Sequence, residues 1–451
     1  MTALPLAPRP VGPRTLAQRA QAAAAIEPEF RAAVDAGRIR RVLLLMPDPH
    51  ARFVAVELAA EFVRDVVLAH GYGACTYVLA WDVHREPIEV PALADYLGGY
   101  RDFLLTPDLA TLQPVAGRSD TCSLVCDANW PNGAPVELAP RQLLRAQLAE
   151  TEKLGLVPSV GLEHEVTLYG ADGTPLTAQG IDYALHTNHA MDTVLAEVRR
   201  AIDDCELGVE SARAECHPGQ YEIVLAHRDA LAACDDAMLL QHLVRSTAEA
   251  GGASASYLAA EAPGRGSSCH VHLSLSTTDL DPIADGGALP EPLAQFLAGV
   301  LRAAEPLSAI WAPTANSYVR LRTAPFSPRV LRWGHDDRTA AIRVAGRDRA
   351  QRLEFRFAGA DAQPHLVLAA LLAAGRCGID DRLPLPEPGV PHGELAATPW
   401  AALERLRNSP LPARLLGESL VAQQAALLGA ELDALCETVS DLHRQRGALR
   451  A

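Results

Sequence analysis

Lysine is all but missing from this 451-residue chain: Lys153 is the only one, so almost every positive charge is an arginine that cannot be titrated away. Aromatic residues reach only 5%, and the net charge of −15 leaves little of the basic surface that nucleic-acid binding needs. No apolar run approaches the ~20 residues of a membrane span. The opening MTALPLAPRPVGPRTLAQRA carries arginines but no continuous apolar segment, which argues against a secretion signal. Nine cysteines, an odd number without paired spacing, fit a reduced cytoplasm better than a disulfide framework. Cys122 and Cys126 alone make no zinc site and read as buried core thiols. A Walker-type glycine loop with lysine is absent, so any nucleotide must be held differently. No G-x-S-x-G turn offers a serine nucleophile.

Length allows two or three domains, and 49% hydrophobic with 21% charged residues describes an ordinary globular chain. Residues 1–25 read as a flexible tail, 26–137 as a small α+β unit and 138–451 as a larger one. Helices are expected over Thr15–Ala36, Ala55–His70, from Pro140 onward, over Thr187–Ile202, Asp229–Ala250 and Leu293–Ala309. A last helical stretch, Thr398–Ala451, is broken at Pro410 and Pro412. Strands are expected at Arg40–Met46, Cys75–Trp81 and Thr121–Asp127, the last followed by a turn at Trp130–Gly133.

Five further stretches carry the chemistry: LEHEVTLY (Leu162–Tyr169), ECHPGQYEIVL (Glu215–Leu225), SSCHVHLSL (Ser267–Leu275), RTAAIRV (Arg338–Val344) and RLEFRF (Arg352–Phe357). Period-two alternation aims Glu163 with Glu165, Gln220 with Glu222, His270 with His272, and Glu354 with Arg356 to one face of each strand. The opposite faces are apolar. A single ExE strand is most simply a solvated face. If the five strands are neighbours, however, Glu163, Glu165, Glu215, Glu222 and Glu354 converge with His270, and only cations hold such a cluster together. Five carboxylates to one imidazole suit Mg²⁺ or Mn²⁺ rather than structural zinc. Arg320, Arg338, Arg343 and Arg356 add forked donors for phosphoryl or carboxylate oxygens. Acids for metals beside arginines for oxyanions is the pattern of metal-assisted phosphoryl transfer. The tight turn His217–Gly219 can bring Glu215 and Glu222 to one ion, and Cys269 packs behind the face that carries His270.

In this order, those motifs together with APTANSYVRL and ADAQPHLVLAALLAAG resemble the glutamine synthetase family from about Arg40 to the C-terminus. The leading region (GYGACTYVLAWDV, APRQLLRAQL) looks most like the γ-glutamyl-amine ligases of that family, which join glutamate to polyamines or ethanolamine. The resemblance implies an α+β fold: an N-terminal β-grasp domain, then a catalytic domain with a curved antiparallel sheet flanked by helices. It implies a cytoplasmic homo-oligomer, a dodecamer of two stacked hexamers, with active sites between subunits. It also implies ATP and two or three Mg²⁺ (or Mn²⁺) as cofactors. By motif, Glu165, Glu215 and Glu222 would hold a first metal, and Glu163, His270 and Glu354 a second. Arg320 would bind the glutamate carboxylate beside Gly266; Arg338, Arg343 and Arg356 would face the moving phosphoryl group. His272 and Ser274 would lie along the nucleotide channel, and Asp82 would be the aspartate that crosses the subunit interface.

The implied reaction forms γ-glutamyl phosphate from ATP and L-glutamate, after which an amine displaces phosphate. Ammonia-using members carry a glutamate where this chain has Phe326, so an organic amine is the expected partner. The alternatives are ammonia-using glutamine synthetase and a non-catalytic ring-forming paralogue. Arg265 stands where many members have asparagine; it either favours a different acid or points to solvent. Ala260, Asp337 and Gln363 are further departures, and no counterpart of the adenylylated tyrosine loop is evident.

Overall fold

Thr15 and Gln18 close a reciprocal capping box that opens helix α1, Leu16–Asp35, in the computed structural model, which describes residues 10–90, 93, 96–185, 187–283 and 289–450. Residues 1–9 of the expected tail lie outside the described residues. Residues 16–25, also expected in it, form the first half of α1, because Arg19 is buried against Asp108, Asp229 and Asp235.

The first sheet grows from the hairpin of β1 (Arg41–Pro47) and β2 (Phe53–Ala59). Short helices α2 (Ala60–Phe62) and α3 (Leu68–His70), joined by π-helical Val63–Val67, lead into β3 (Tyr72–Cys75). Then come β4 (Asp102–Pro107), β5 (Gln113–Val115) and β6 (Arg118–Asn129). The order is β2-β1-β6-β4-β3, with β5 on β6, and β6 runs parallel to β1. A hairpin, a crossing helix and a later strand inserted parallel to the first give the β-grasp arrangement. Two expectations fail here. Ala55–Ala59 are strand, not helix, since Val54, Val56 and Leu58 alternate with exposed Ala55, Glu57 and Ala59. Of Cys75–Trp81 only Cys75 is strand; Thr76–Leu79 form a 3₁₀ turn whose three-residue period buries both ends.

Helix α4 (Pro140–Lys153) leads to β7 (Leu156–Tyr169), the spine of a nine-stranded sheet. Around it come α5 (His189–Asp204), β8 (Val209–Ala214), β9 (Gln220–Leu225), β10 (Arg228–Asp229) and α6 (Ala230–Ala250). Short strands β11 (Ser254–Ser256), β12 (Ala260–Ala262) and β13 (Arg265–Gly266) precede β14 (Cys269–Thr277). Helices α7 (Glu291–Ala304), α8 (Ser308–Trp311) and α9 (Ala315–Thr323) separate β14 from β15 (Trp333–His335), β16 (Ile342–Ala345) and β17 (Arg352–Phe355). The chain ends in α10 (Pro364–Asp380), α11 (Pro399–Asn408), α12 (Pro410–Leu416), α13 (Glu418–Glu437) and α14 (Asp441–Ala448). The sheet order is β15-β16-β17-β14-β7-β9-β8, antiparallel except for β15 with β16, and β10 and β11 also pair with β7. Helices flank this curled sheet, so the fold is α+β. Among the described residues no helix is long and apolar enough to cross a membrane.

Behind the sheet the two units are joined by buried charge. Arg141, 1% exposed, donates to Asp108, Asp127 and Asp235, and Asp235 also meets His365 Nε2 at 2.9 Å. Arg19 meets the same Asp108 and Asp235 as well as Asp229, while Arg228 pairs with Asp236. Burial pushes the Asp235 carboxyl up, but Arg141 and His365 more than reverse that and hold it ionised. Removing one partner from such a network leaves uncompensated buried charge, which costs about 3–5 kcal/mol. Arg141→Met is therefore expected to lower the urea midpoint by an amount equivalent to that range; a loss under about 1 kcal/mol would show that the network relaxes without it.

Candidate active site

Cross-strand register builds the site on one face of the large sheet. Glu165 of β7 lies directly opposite Glu222 of β9, Glu163 opposite His270 of β14, and Glu354 of β17 opposite both His272 and Arg343. Glu215 follows β8 just before the turn His217–Gly219, where Gln220 N–H donates to His217 O at 3.1 Å. Gly219 has φ 69°, and a Cβ there would stand 2.5 Å from Leu168 O, so the turn that aims Glu215 at Glu222 requires glycine. His164 and Cys269 occupy the opposite face, buried, with Sγ 4.0 Å from His164 Nδ1.

Two ligand groups result. Glu165, Glu215 and Glu222 offer oxygens within 4.8 Å of one another, as do atoms of Glu163, His272 and Glu354. His270 Nδ1 stands 3.3 Å from Glu163 and 3.7 Å from Glu354, so both histidines border the second group. His272 Nδ1 accepts from Arg352 Nε at 3.1 Å, which leaves the ring proton on the Nε2 that faces Glu163 at 2.9 Å. His270 Nδ1–H donates to Glu163 Oε2 at 3.3 Å, and burial lowers that ring to about pKa 4, so the ring is neutral and offers a cation a lone pair at Nδ1 once its proton sits on Nε2. The donor set fits hard divalent cations.

Charge balance on this face is incomplete. Burial, with Glu215 nearby, raises Glu165 to about 7, although Ser268 N–H donates to it at 2.8 Å and Gln220 Nε2 at 3.1 Å. Burial and then Glu163 raise Glu222 to about 8. Burial raises Glu215 as well. Burial also works against Glu163 and Glu354, but histidine contacts bring Glu163 below the ordinary range and His270 with Arg356 lower Glu354. Arg213, not singled out from the sequence, lies 3.0 Å from Glu215 and 2.7 Å from Glu222. Yet Glu222 Oε1 is buried without a directed hydrogen bond among the described residues. Arg213 sits two residues before Glu215, and that spacing is the signal that could have revealed it.

A cavity of about 530 Å³ collects Glu163, Glu165, Glu215, Glu222, Gly266, His270, Arg320, Phe326, Arg338 and Arg356. Asp182, Tyr183 and Cys216 line it too and were missed from sequence. Arg320 is 3% exposed, lowered to about 10 by burial, and donates to the carbonyls of Arg356 and Phe357. Gly266 abuts it: a Cβ there would meet Arg320 Cγ at 3.2 Å. Arg343 and Arg356 both bind Glu354. Arg338 is exposed at the cavity, in the loop before β16 rather than in the expected strand. Arg343, Glu354, His272 and Ser274 do not line the cavity, nor does Asp82, whose carboxylate accepts from His84 N–H and Glu86 N–H in its own loop. Arg265 is exposed on β13, next to Gly266, and does not itself line the cavity. Tyr183 and Phe326 are 68% and 63% exposed at φ 54° and 59°, a left-handed backbone unusual for aromatic residues.

Glu165 and Glu222 keep protons in the metal-free fold that the unfolded chain has released above pH 4.5. The penalty therefore grows as pH rises and is complete above about 8, the upper of the two values. Mg²⁺ is expected to raise the melting temperature more at pH 8.5 than at pH 5.5, with proton release on binding; equal shifts at both would contradict the convergence of these acids.

Residues 137–446 match the glutamine synthetase catalytic domain. The γ-glutamylethanolamide synthetase of Streptomyces coelicolor is 35% identical over 436 residues, covering 93% of this chain and 94% of that protein. The glutamate–isopropylamine ligase of a Pseudomonas species is 33% identical, covering 74% and 76%. The γ-glutamylputrescine synthetase of Escherichia coli K12 is 33% identical, covering 69% and 70%. A solved glutamine synthase homologue superposes with a TM-score of 0.79 at 28% identity, covering 91% of this chain and 98% of that one. With a catalytic-domain match over more than half its length, the chain belongs to the glutamine synthetase family.

Proposed function

We propose that the protein is an ATP-dependent ligase that activates the γ-carboxylate of L-glutamate and couples it to an organic amine. The observation that carries this reading is one cavity lined by the whole of one carboxylate ligand group, by Glu163 and His270 at the edge of the second, by a buried arginine and by two exposed aromatic rings. The names of the similar proteins, which specify ethanolamine, isopropylamine and putrescine as amines, support it.

Glu165, Glu215 and Glu222 would hold one divalent cation and Glu163, His270 and Glu354 another; a third ion remains part of the proposal. When bound, these ions supply Lewis-acid charge for phosphoryl oxygens. Arg320 fits the α-carboxylate of glutamate beside Gly266. Arg338 and Arg356 face the cavity where an acyl phosphate would form, with Arg343 behind them on Glu354. His272 and Ser274, further along β14, are proposed for the nucleotide, and Asp82 for the site of a neighbouring subunit in a stacked-hexamer assembly. The unit boundary near residue 137 is proposed to divide the β-grasp domain from the catalytic domain.

At the mouth, Phe326 offers an apolar ring in place of an acid, so ammonium finds one charge partner fewer. The cation of Arg213, 5.3 Å over the Tyr183 ring, disfavours a second ammonium group on the amine. A short monoamine fits better than a polyamine.

Phosphate release with ATP, Mg²⁺ and L-glutamate is expected with ethanolamine or isopropylamine, with product mass confirming the amide, at kcat/KM about tenfold above putrescine or spermidine. Turnover with ammonia alone would overturn the amine reading. Glu222→Gln is expected to abolish product at every amine. Phe326→Glu is expected to raise ammonia use relative to organic amines, and a flat ratio would remove Phe326 from the amine pocket.

A further inference from the structure

Away from the catalytic face, a larger cavity of about 660 Å³ lies between the N-terminal sheet and helices α5 and α6. Strand alternation sends Val42, Leu44 and Met46 into the core, so Leu43 and Leu45 present a second apolar face, extended by Phe53 of β2. Met238, Leu239 and Leu243 of α6 form the facing wall. A mostly apolar cavity of this size with a few convergent polar groups suits a small organic ligand.

The polar groups are specific. Gln241 is 2% exposed, and its Nε2 is buried with no hydrogen-bond partner among the described residues. A buried donor left in this state is unfavourable until an acceptor reaches it. Arg245 follows at i+4 on α6, on the same side of the helix. Both residues also line an adjoining cavity of about 380 Å³, so they stand at the junction of the two spaces. The Arg245 guanidinium lies 4.9 Å over the Tyr257 ring and forms no salt bridge among the described residues. Of the other cations here, Arg52 is paired with Asp48, Arg200 with Glu197, and Arg85 lies over Trp81. An uncommitted guanidinium and an unpaired amide donor, beside an apolar wall, match one planar anion on an apolar body.

We propose that this cavity binds a small monocarboxylate with an apolar chain. Its carboxylate accepts from Gln241 Nε2 and the Arg245 guanidinium, and its chain lies on Leu43, Leu45 and Phe53. Such a ligand bridges the N-terminal sheet and the helix behind the catalytic sheet, so its binding stabilises the folded protein.

The test uses the full-length protein with sodium octanoate as probe and octylammonium and octan-1-ol as controls, read by calorimetry and thermal melting. Saturable octanoate binding with a rise in melting temperature is expected, with no binding of octylammonium. Gln241→Leu and Arg245→Gln are each expected to weaken octanoate about tenfold, while Arg245→Lys retains most of the affinity. Phosphate release under the conditions above should stay unchanged in all three, which separates loss of this site from loss of fold. Equal binding of octanoate and octylammonium, or octanoate affinity unmoved by both Gln241→Leu and Arg245→Gln, would overturn the proposal. So would an assembled protein that binds no octanoate because a neighbouring copy covers the cavity.

Discussion

The guanidinium of Arg141, shared among three aspartates at 1% exposure, is the contact on which the arrangement of the two sheets depends. Asp108 and Asp127 come from the N-terminal unit and Asp235 from α6, so one side chain of α4 fixes three elements at once. Arg19 repeats the device from α1. Across the network Asp108, Asp127, Asp229, Asp235 and Asp236 face Arg14, Arg19, Arg141, Arg145 and Arg228, so charge closes without help from solvent. Buried ion pairs contribute little net stability compared with apolar packing, but they tolerate few alternative geometries. Here they set where α6 lies, and α6 backs β7, the strand that carries Glu163 and Glu165.

The front of the same sheet leaves the equivalent problem open. Glu354 has Arg343 and Arg356, and Glu163 has two histidines, but Glu165 has only neutral donors. Arg213 lies across Glu215 and Glu222 without satisfying Glu222 fully. That contrast fits the proposed function: a self-neutral network behind the sheet is structural, whereas an under-neutralised one facing a cavity would have room for cations that come with a substrate. On the proposed ligand assignment, an incoming metal would compete with Arg213 and with protons, which would tie occupancy to pH.

Much of this was legible in the sequence because a strand has only two faces. Period-two spacing assigned Glu163, Glu165, Glu222, His270 and Glu354 to one side, and the register brings them together there. The β-grasp hairpin was harder. Ala55–Glu61 (AVELAAE) is rich in good helix formers, and only pairing with β1 makes its first part a strand. Arg213 escaped notice because its strand is mostly exposed and lacks the apolar back of the others. Tyr183 and Phe326 adopt φ values usually marked by glycine, so nothing local announced their turns.

Those two turns bear on how selectivity arises. A non-glycine residue in the left-handed region costs on the order of 1–3 kcal/mol, and two such residues at one cavity mouth need compensation elsewhere. Their rings stay exposed and so present apolar surface at the cavity. An amine side chain that covered them would gain about 0.8 kcal/mol per buried methylene. One or two carbons would then offset an exposed charge contact of up to about 1 kcal/mol, which is what Phe326 in place of an acid would remove from ammonium on the proposed function. Ammonium has no carbon to offer in exchange. On the proposed function, the mouth would discriminate by apolar contact that only an alkyl-bearing nucleophile can supply, while Arg213 would limit how much further charge that nucleophile can bring.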